Sequence, residues 1–334
     1  MKKPFRGKKL LVLCKCIRGT RPKRFAFQCN LFDKVKILAY TNNSDLPWSK
    51  YRNRQHIRDF LRDYRPDVVH ACINKVMVAA ISMEMGFPTL LDVHDFEKLR
   101  GSEDPEAAYV FGKQPPTISV CDSISRAITQ QYEYECQTVL NLAPRAWMLS
   151  PHTIKKKPGK TVVFIGSVLD KPPHLYRRYE WIFRRLSDAG IHVHIYTMNP
   201  IQRHWEQYKN TNVHIHKPIL NYRLLLEVIA SHTVGFAGYN AKGVDPIDLK
   251  FRQMSAPNKA FDYMAAGIPT MAINLGESDK YVKHWGCCSN DQSSAVEVFQ
   301  EAADMPIDFA KWQEKFCLER YHKLFVRLYS GLLS

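Results

Sequence analysis

Four clusters of residues in this chain have types and spacings that could do chemistry. The first is the stretch S-A-P-N-K-A-F-D-Y-M-A-A-G-I-P-T, residues 255–270. Ser255, Pro257 and Asn258 are helix-opening types, and Ala260, Phe261, Met264 and Ala265 follow with helical spacing. Gly267 suits the end of that helix, and the apolar run Thr270 to Ile273 suits a strand. A helix start of this kind offers backbone N–H groups and a positive dipole end to an anion such as phosphate. Lys259 could meet phosphate oxygens, and the Asp262 carboxylate could accept hydrogen bonds from ribose hydroxyls.

The second cluster is Gly166-Ser167 with Lys171, where a glycine lets backbone approach a phosphate and a lysine neutralises it. The third is His94-Asp95, directly after the apolar run T-L-L-D-V, where an imidazole could bond a substrate or move a proton. The fourth is I-R-G-T-R-P-K-R, residues 17–24, read as a loop carrying Arg18, Arg21, Lys23 and Arg24 around Gly19. Guanidinium forks of this kind match phosphate oxygens.

Other chemistries are excluded by what is missing. Neither G-x-G-x-x-G nor G-x-x-x-x-G-K-[ST] occurs, which argues against a dehydrogenase and a P-loop NTPase. No G-x-S-x-G elbow is present. His192/His194 and His214/His216 mimic a metal cluster, but their i, i+2 spacing on strands reads as sheet packing, and no metal site is expected. Neither Cys14/Cys16 nor Cys287-Cys288 has zinc spacing.

The elements that must position these residues alternate between short apolar strands and amphipathic helices. Strands are expected at residues 10–16, 35–41, 67–71, 89–93, 117–120 and 138–141, with helices at 50–64, 75–86 and 123–132. Residues 142–160 hold Pro144, Pro151, Pro158 and the run Lys155 to Lys157 without periodicity, and read as a linker. Alternation then restarts, with strands at 161–165, 191–197, 212–216 and 233–236 and helices at 174–189, 202–208, 221–231, 277–285 and 293–303. A final amphipathic stripe spans 308–333. The expected fold class is α/β: two Rossmann-like domains with parallel sheets facing across a cleft. The boundaries are 1–145 for the first domain, 146–160 for the linker, 161–307 for the second domain, and 308–334 for a helix packing across both. Ligands of open parallel sheets bind beyond the carboxyl ends of strands, where all four clusters fall.

Charge adds a partner class. The 334 residues hold 48 Lys/Arg against 32 Asp/Glu, a net +16. Residues 1–50 alone hold 13 basic and 2 acidic side chains, and residues 151–200 hold 9 and 3. A localised excess favours an anionic partner: nucleic acid, an acidic membrane or a phosphorylated substrate. No apolar run is long enough to span a bilayer, and nine cysteines without framework spacing fit a reducing cytoplasm.

Together these residues resemble a GT-B glycosyltransferase, most closely the retaining glycosyltransferase family 4. A-P-N-K-A-F-D-Y-M-A-A-G-I-P-T resembles that family's P-x-K-x-x-E-Y-M-A-x-G-x-P element. Y-R-P-D-V-V-H-A (64–71), L-L-D-V-H-D (90–95), I-S-V-C-D-S (118–123), V-L-N-L-A-P (139–144) and V-F-I-G-S (163–167) match further elements in order. The resemblance implies a hexosyltransferase, retaining and metal-independent, using a nucleotide-diphosphate sugar (a UDP-sugar is the leading choice) as co-substrate and no cofactor, with 1–145 the acceptor-binding domain and 161–307 the nucleotide-sugar-binding domain. It implies that Asp262 holds the ribose, that Pro257, Asn258 and Lys259 lie near the diphosphate, that Gly166 and Ser167 line the phosphates, and that His94 and Asp95 lie beside the transferred sugar. Asp262 stands where the family has Glu, Met254 where it has another Glu, and Ser167 where it often has Arg. Lys171, Lys242, Lys250 and Arg252 are the candidate substitutes.

For the acceptor, the basic first half points to a polyanion, with hydroxymethylated pyrimidine in DNA as the leading choice and Arg18, Gly19, Arg21, Lys23 and Arg24 as its contacts. The alternatives are a peripheral-membrane enzyme of surface or lipid-linked glycan synthesis, and an inactive nucleotide-sugar-binding module.

Overall fold

The structure is a computed structural model that describes residues 3–17, 20–42, 48–73, 76–96, 106–151, 153–168, 174–197, 208 and 211–334. The chain divides into two compact units, one of residues 1–144 with 318–334 and one of residues 145–317.

In the first unit seven parallel strands form one sheet: β1 (Phe5–Ile17), β2 (Phe32–Asn42), β3 (Ser49–Lys50), β4 (Val68–Ile73), β5 (Thr89–Val93), β6 (Thr117–Ser119) and β7 (Cys136–Thr138). Their order is β3-β2-β1-β4-β5-β6-β7. Helices α1 (Thr20–Cys29), α2 (Arg54–Tyr64), α3 (Met77–Glu84), α4 (Ala107–Gly112) and α5 (Asp122–Tyr132) connect them. The central strands are apolar on both faces because helices cover both, and β5 is buried at every position. α2 shows how the local sequence sets an element. The Asn53 side chain accepts the His56 amide at its start, Ile57 and Leu61 are buried, and Arg65 ends it in the left-handed region.

The second unit repeats the plan with six parallel strands: β8 (Thr161–Ile165), β9 (His192–Tyr196), β10 (Val213–His216), β11 (Val234–Gly238), β12 (Thr270–Ile273) and β13 (Gly286–Ser289). Their order is β10-β9-β8-β11-β12-β13. Helices α6 (Glu180–Asp188), α7 (Tyr222–Ala230), α8 (Pro246–Gln253), α9 (Asn258–Ala265), α10 (Asp279–Val282), α11 (Ala295–Asp304) and α12 (Phe309–Lys315) belong to it. Rings of Phe164, Tyr179, Phe183 and Phe236 meet at centroid distances of 5.0–5.9 Å in its core. The last helix, α13 (His322–Leu333), lies in the first unit, where the Phe325 and Tyr329 side chains are buried.

Both sheets reverse their winding direction once, between β1 and β4 and between β8 and β11. Such switch points open a crevice at the carboxyl ends of the strands. Gly166 stands at the end of β8, on the rim of the second one.

Several expectations need correction. Residues 20–24 are the first turns of α1 and not a loop: Pro22 fits an opening turn, and Phe27 and Gln28 anchor the helix inside. The strand placed at 138–141 is β7, two residues earlier. The helix placed at 174–189 opens with a 3-10 turn at Leu175–Arg177 and becomes α-helical only from Glu180. The stripe at 308–333 breaks between α12 and α13. Helices α1, α4 and α8 and strand β13 were not expected, and the helix expected at 202–208 lies outside the described residues save Tyr208.

α9 is fixed to the sheet by a ring over a glycine. A Cβ on Gly235 of β11 would come within 2.2 Å of the Tyr263 ring, whose hydroxyl donates to the Phe236 carbonyl at 2.8 Å. Gly235→Ala is therefore expected to destabilise the chain by about 1–3 kcal/mol and to displace α9. A urea midpoint equal to wild type would show that Tyr263 yields without cost.

Candidate active site

In the second unit the residues of interest gather where β8 ends. Gly166 has φ +132, a region that L side chains rarely adopt, and its amide donates to the Tyr196 carbonyl at 3.1 Å. This turn is open to solvent, and a Cβ added at Gly166 would lie 3.7 Å from the Lys259 Nζ. Ser167 follows, half-buried, and Lys171 lies outside the described residues.

Lys259 comes from the first turn of α9, which opens with Pro257 as its N-cap in extended backbone and Asn258 as its first residue. The helix ends as the sequence suggests, with Gly267 at φ +71. The Lys259 ammonium lies 4.1 Å from the Phe164 ring centroid and 5.7 Å from that of Tyr179. Its surroundings push its pKa down to about 7: burial comes first, then repulsion from Arg177, while Asp262 acts the other way. Arg177 and Arg252 both lie on Tyr176, their guanidinium carbons 5.3 and 4.4 Å from its ring centroid. Lys259 is thus held beside the end of β8 with the Arg177 charge acting on it, and Arg177 shares the Tyr176 ring with Arg252. An anion placed there gains from these charges.

Asp262, two helix positions beyond Ala260, is buried, and the Tyr222 hydroxyl donates to its Oδ1 at 2.6 Å. Burial and then the Asp262 charge raise the Tyr222 phenol well above its usual range. Trp147 packs on Tyr222 at 5.2 Å between ring centroids. The proposed ribose carboxylate therefore carries a phenol on one oxygen. Lys242 and Lys250 are exposed, and Met254 caps the C-terminus of α8.

In the first unit His94 follows β5 and is almost fully buried, with Asp95 half-buried beside it. The organising group is Asp92, which reaches no solvent. Its Oδ2 lies 3.4 Å from Arg24 Nε, 3.2 Å from His70 Nε2, 3.4 Å from His94 Nε2 and 4.0 Å from Cys72 Sγ. Burial alone would raise this carboxyl, but His94, Arg24 and a hydrogen bond from His70 hold it well below the usual carboxylate range. Behind it, His70 Nδ1 meets the Tyr329 hydroxyl at 2.8 Å and the Gln28 amide at 2.9 Å. Arg24 also donates to the Val139 carbonyl at 2.6 Å, and Lys23 to the Asn141 carbonyl at 3.0 Å.

Among the described residues, His70, Cys72 and Asp92 form a group whose ligand atoms could surround a metal ion. The Arg24 guanidinium beside the same carboxylate oxygen opposes a cation there, so the group fits a structural charge network better.

Of the proposed acceptor contacts, Arg18 and Gly19 lie outside the described residues, and only the backbone of Arg21 is described, within α1. Lys23 and Arg24 have no solvent exposure, because α1 turns both inward onto backbone carbonyls and Asp92. Arg177, Tyr176, Tyr222 and Asp92 were missed by sequence reasoning. Asp92 left one readable sign, a carboxylate inside an otherwise apolar strand and two residues before His94, hence on the same face. The others left none, because a helix reading of residues 174–189 hides the turn that aims Arg177.

Solved structures resemble this chain along its whole length. A glycosyltransferase from Rickettsia africae superposes with a TM-score of 0.61 at 11% identity, covering 98% of this chain and 99% of that one. The chain has the GT-B fold. An alpha,alpha-trehalose-phosphate synthase from Burkholderia vietnamiensis shares this fold with a TM-score of 0.61 at 12% identity, over 97% of this chain and 99% of its own. Sucrose-phosphate synthase from Thermosynechococcus elongatus shares it with a TM-score of 0.60 at 10% identity, over 97% and 99%. No protein-family model matches the chain, and no curated protein matches it in sequence. In this GT-B fold, no described helix is long and apolar enough to cross a membrane.

Proposed function

We propose that this chain is a glycosyltransferase that moves a sugar from a nucleotide-diphosphate sugar, a UDP-sugar first among the candidates, to an acceptor hydroxyl. The observation that carries the reading is Lys259 beside the Gly166 turn at the switch point of a GT-B donor sheet, with Arg177 near enough to depress its pKa and Arg252 sharing the Tyr176 ring with Arg177. Breaking the sugar–phosphate bond builds negative charge on the departing diphosphate. Cations already held in place stabilise that charge without a metal ion. The sequence resemblance further suggests a retaining outcome, with His94 and Asp95 beside the sugar and Asp262 at the ribose. The GT-B neighbours named as glycosyltransferase and trehalose-phosphate synthase support transfer chemistry in general.

The acceptor reading is narrower than the charge count suggested. Lys23 and Arg24 spend their charge inside the protein. Arg6, Lys8, Lys34 and Lys36 are exposed, but they lie toward the starts of β1 and β2, away from the strand ends where ligands bind. Hydroxymethylated DNA therefore loses its main support as acceptor, and a surface or lipid-linked glycan is no better supported. Incubation with radiolabelled UDP-sugars and either hydroxymethylcytosine DNA or a lipid-linked glycan tests both levels at once. Label in one polymer names the acceptor. If no nucleotide sugar is bound, hydrolysed or transferred, the enzyme reading fails.

A further inference from the structure

The second unit also carries a column of imidazoles that the donor chemistry does not use. His192 and His194 occupy alternate positions of β9, and His214 and His216 alternate positions of β10, the edge strand of its sheet. The parallel register sets His214 opposite His194, and the side chains interleave along the strands. In the order His192, His214, His194, His216, Tyr196, neighbouring ring centroids are 5.4, 4.6, 5.2 and 4.5 Å apart. Val193 and Ile195, which alternate with His192, His194 and Tyr196 along β9, face the apolar core on the other side.

Nitrogens meet in hydrogen-bonded pairs across the strands. His192 Nδ1 lies 3.1 Å from His214 Nε2, and His194 Nδ1 lies 2.9 Å from His216 Nε2. A metal–imidazole bond is about 2.0–2.1 Å, so two ligands at adjacent corners of a square are roughly 2.9 Å apart, against about 3.4 Å for a tetrahedron. The His194–His216 pair has the square spacing, and the His192–His214 pair lies between the two. In each pair one nitrogen carries the proton that the other accepts; for both to ligate, the donor ring shifts that proton to its other nitrogen, and rotation about the soft ring torsion turns the two lone pairs toward a shared point. All four rings keep partial solvent contact, which gives an ion a path. A fifth imidazole, His232, is fully buried with its ring centroid 4.6 Å from that of His194, and neither of its nitrogens has a hydrogen-bond partner. Such a group is costly as it stands and gains from any ligand brought to it.

We propose that this column binds a divalent transition-metal ion of tetragonal preference, Cu²⁺ or Ni²⁺, through paired imidazoles of β9 and β10. The His192–His214 pair fills first. At the other pair the Lys157 ammonium, 3.3 Å from His194 Nδ1, must swing away before a cation enters. The site stands apart from the proposed donor chemistry and does not depend on it.

The test is titration of the untagged full-length chain with Cu²⁺ alone, read by calorimetry and by electron paramagnetic resonance. Wild type is expected to show nitrogen hyperfine structure from at least two imidazoles. His214→Asn, which removes one ligand of the first pair, is expected to weaken binding by about 10–100-fold. His56→Asn, in α2 of the other unit, should leave it unchanged. Urea unfolding checks that each variant folds, and His192→Asn replaces His214→Asn if the latter does not. Equal affinity in the column variants and wild type, or wild-type binding weaker than on the order of 100 μM, overturns the proposal.

Discussion

Lys259→Met is expected to raise the melting temperature of the free protein while abolishing its affinity for UDP. The two effects share one cause. The Lys259 pKa falls from 10.5 to about 7 because burial and Arg177 disfavour the charged form. Between about pH 7 and 10.5 the unfolded chain therefore binds more protons than the folded one, so the stability of the free protein rises with pH across that window. Below pH 7 the folded ammonium is charged and its full cost is present. Methionine keeps an apolar stem over Phe164 and removes that cost. Since the side chain retains some solvent contact, the gain is discounted to about 1–2 kcal/mol, or a few degrees.

On the proposed donor reading, UDP supplies the missing counter-charge in wild type, so ligand binding should take up a proton near Lys259. Affinity for UDP is then expected to fall as pH rises above 7, by up to about tenfold per unit, until the pKa of the complex is passed. Calorimetry across pH 6–9 and a thermal-shift series measure both arms. A variant that loses stability yet binds UDP as wild type does would remove Lys259 from the donor site.

Asp92→Asn is expected to destabilise the chain by about 3–5 kcal/mol, because it leaves the Arg24 charge buried without its counter-ion. The loss extends beyond that pair, since His70 and His94 share the same oxygen. Asp92 Oδ1 and Arg24 Nη1 are buried without hydrogen-bond partners among the described residues, so the network has no spare polar contact to fall back on. Arg24→Met added to Asp92→Asn should recover part of the loss, since removing both charges is far less costly than removing one. Urea unfolding of the two single variants and the double variant closes the cycle. Additive losses would show that Arg24 and Asp92 do not compensate each other.

What could be read from the sequence follows from what each feature depends on. β5 and β8, the α9 segment and the Gly267 stop are written in local periodicity and turn chemistry, and they fall where expected. α1 was hidden because its first turn is a proline among cations, a pattern that reads as a solvated loop. Only tertiary partners distant in sequence, the carbonyls of Val139 and Asn141 and the carboxylate of Asp92, make burial of Lys23 and Arg24 possible. β13 reads G-C-C-S and carries no alternation, because its neighbour β12 supplies the ladder. In the candidate site, Lys259 and Gly166 were legible from motif and position. Arg177, Tyr176 and Tyr222 were not, since their convergence is set by a 3-10 turn and by side-chain stacking.

The placement of α13 has a consequence for synthesis. The first unit is built from both ends of the chain, and its His70 is completed by Tyr329. A ribosome making about 5–20 residues per second takes roughly 9–35 s to pass through residues 145–317, which belong to the other unit. During that interval Phe27, Phe32 and His70 lack the aromatic face of α13 that later covers them. The half that emerges first is therefore the half that finishes last. Its nascent form presents an apolar seam to chaperones for as long as its partner takes to be made.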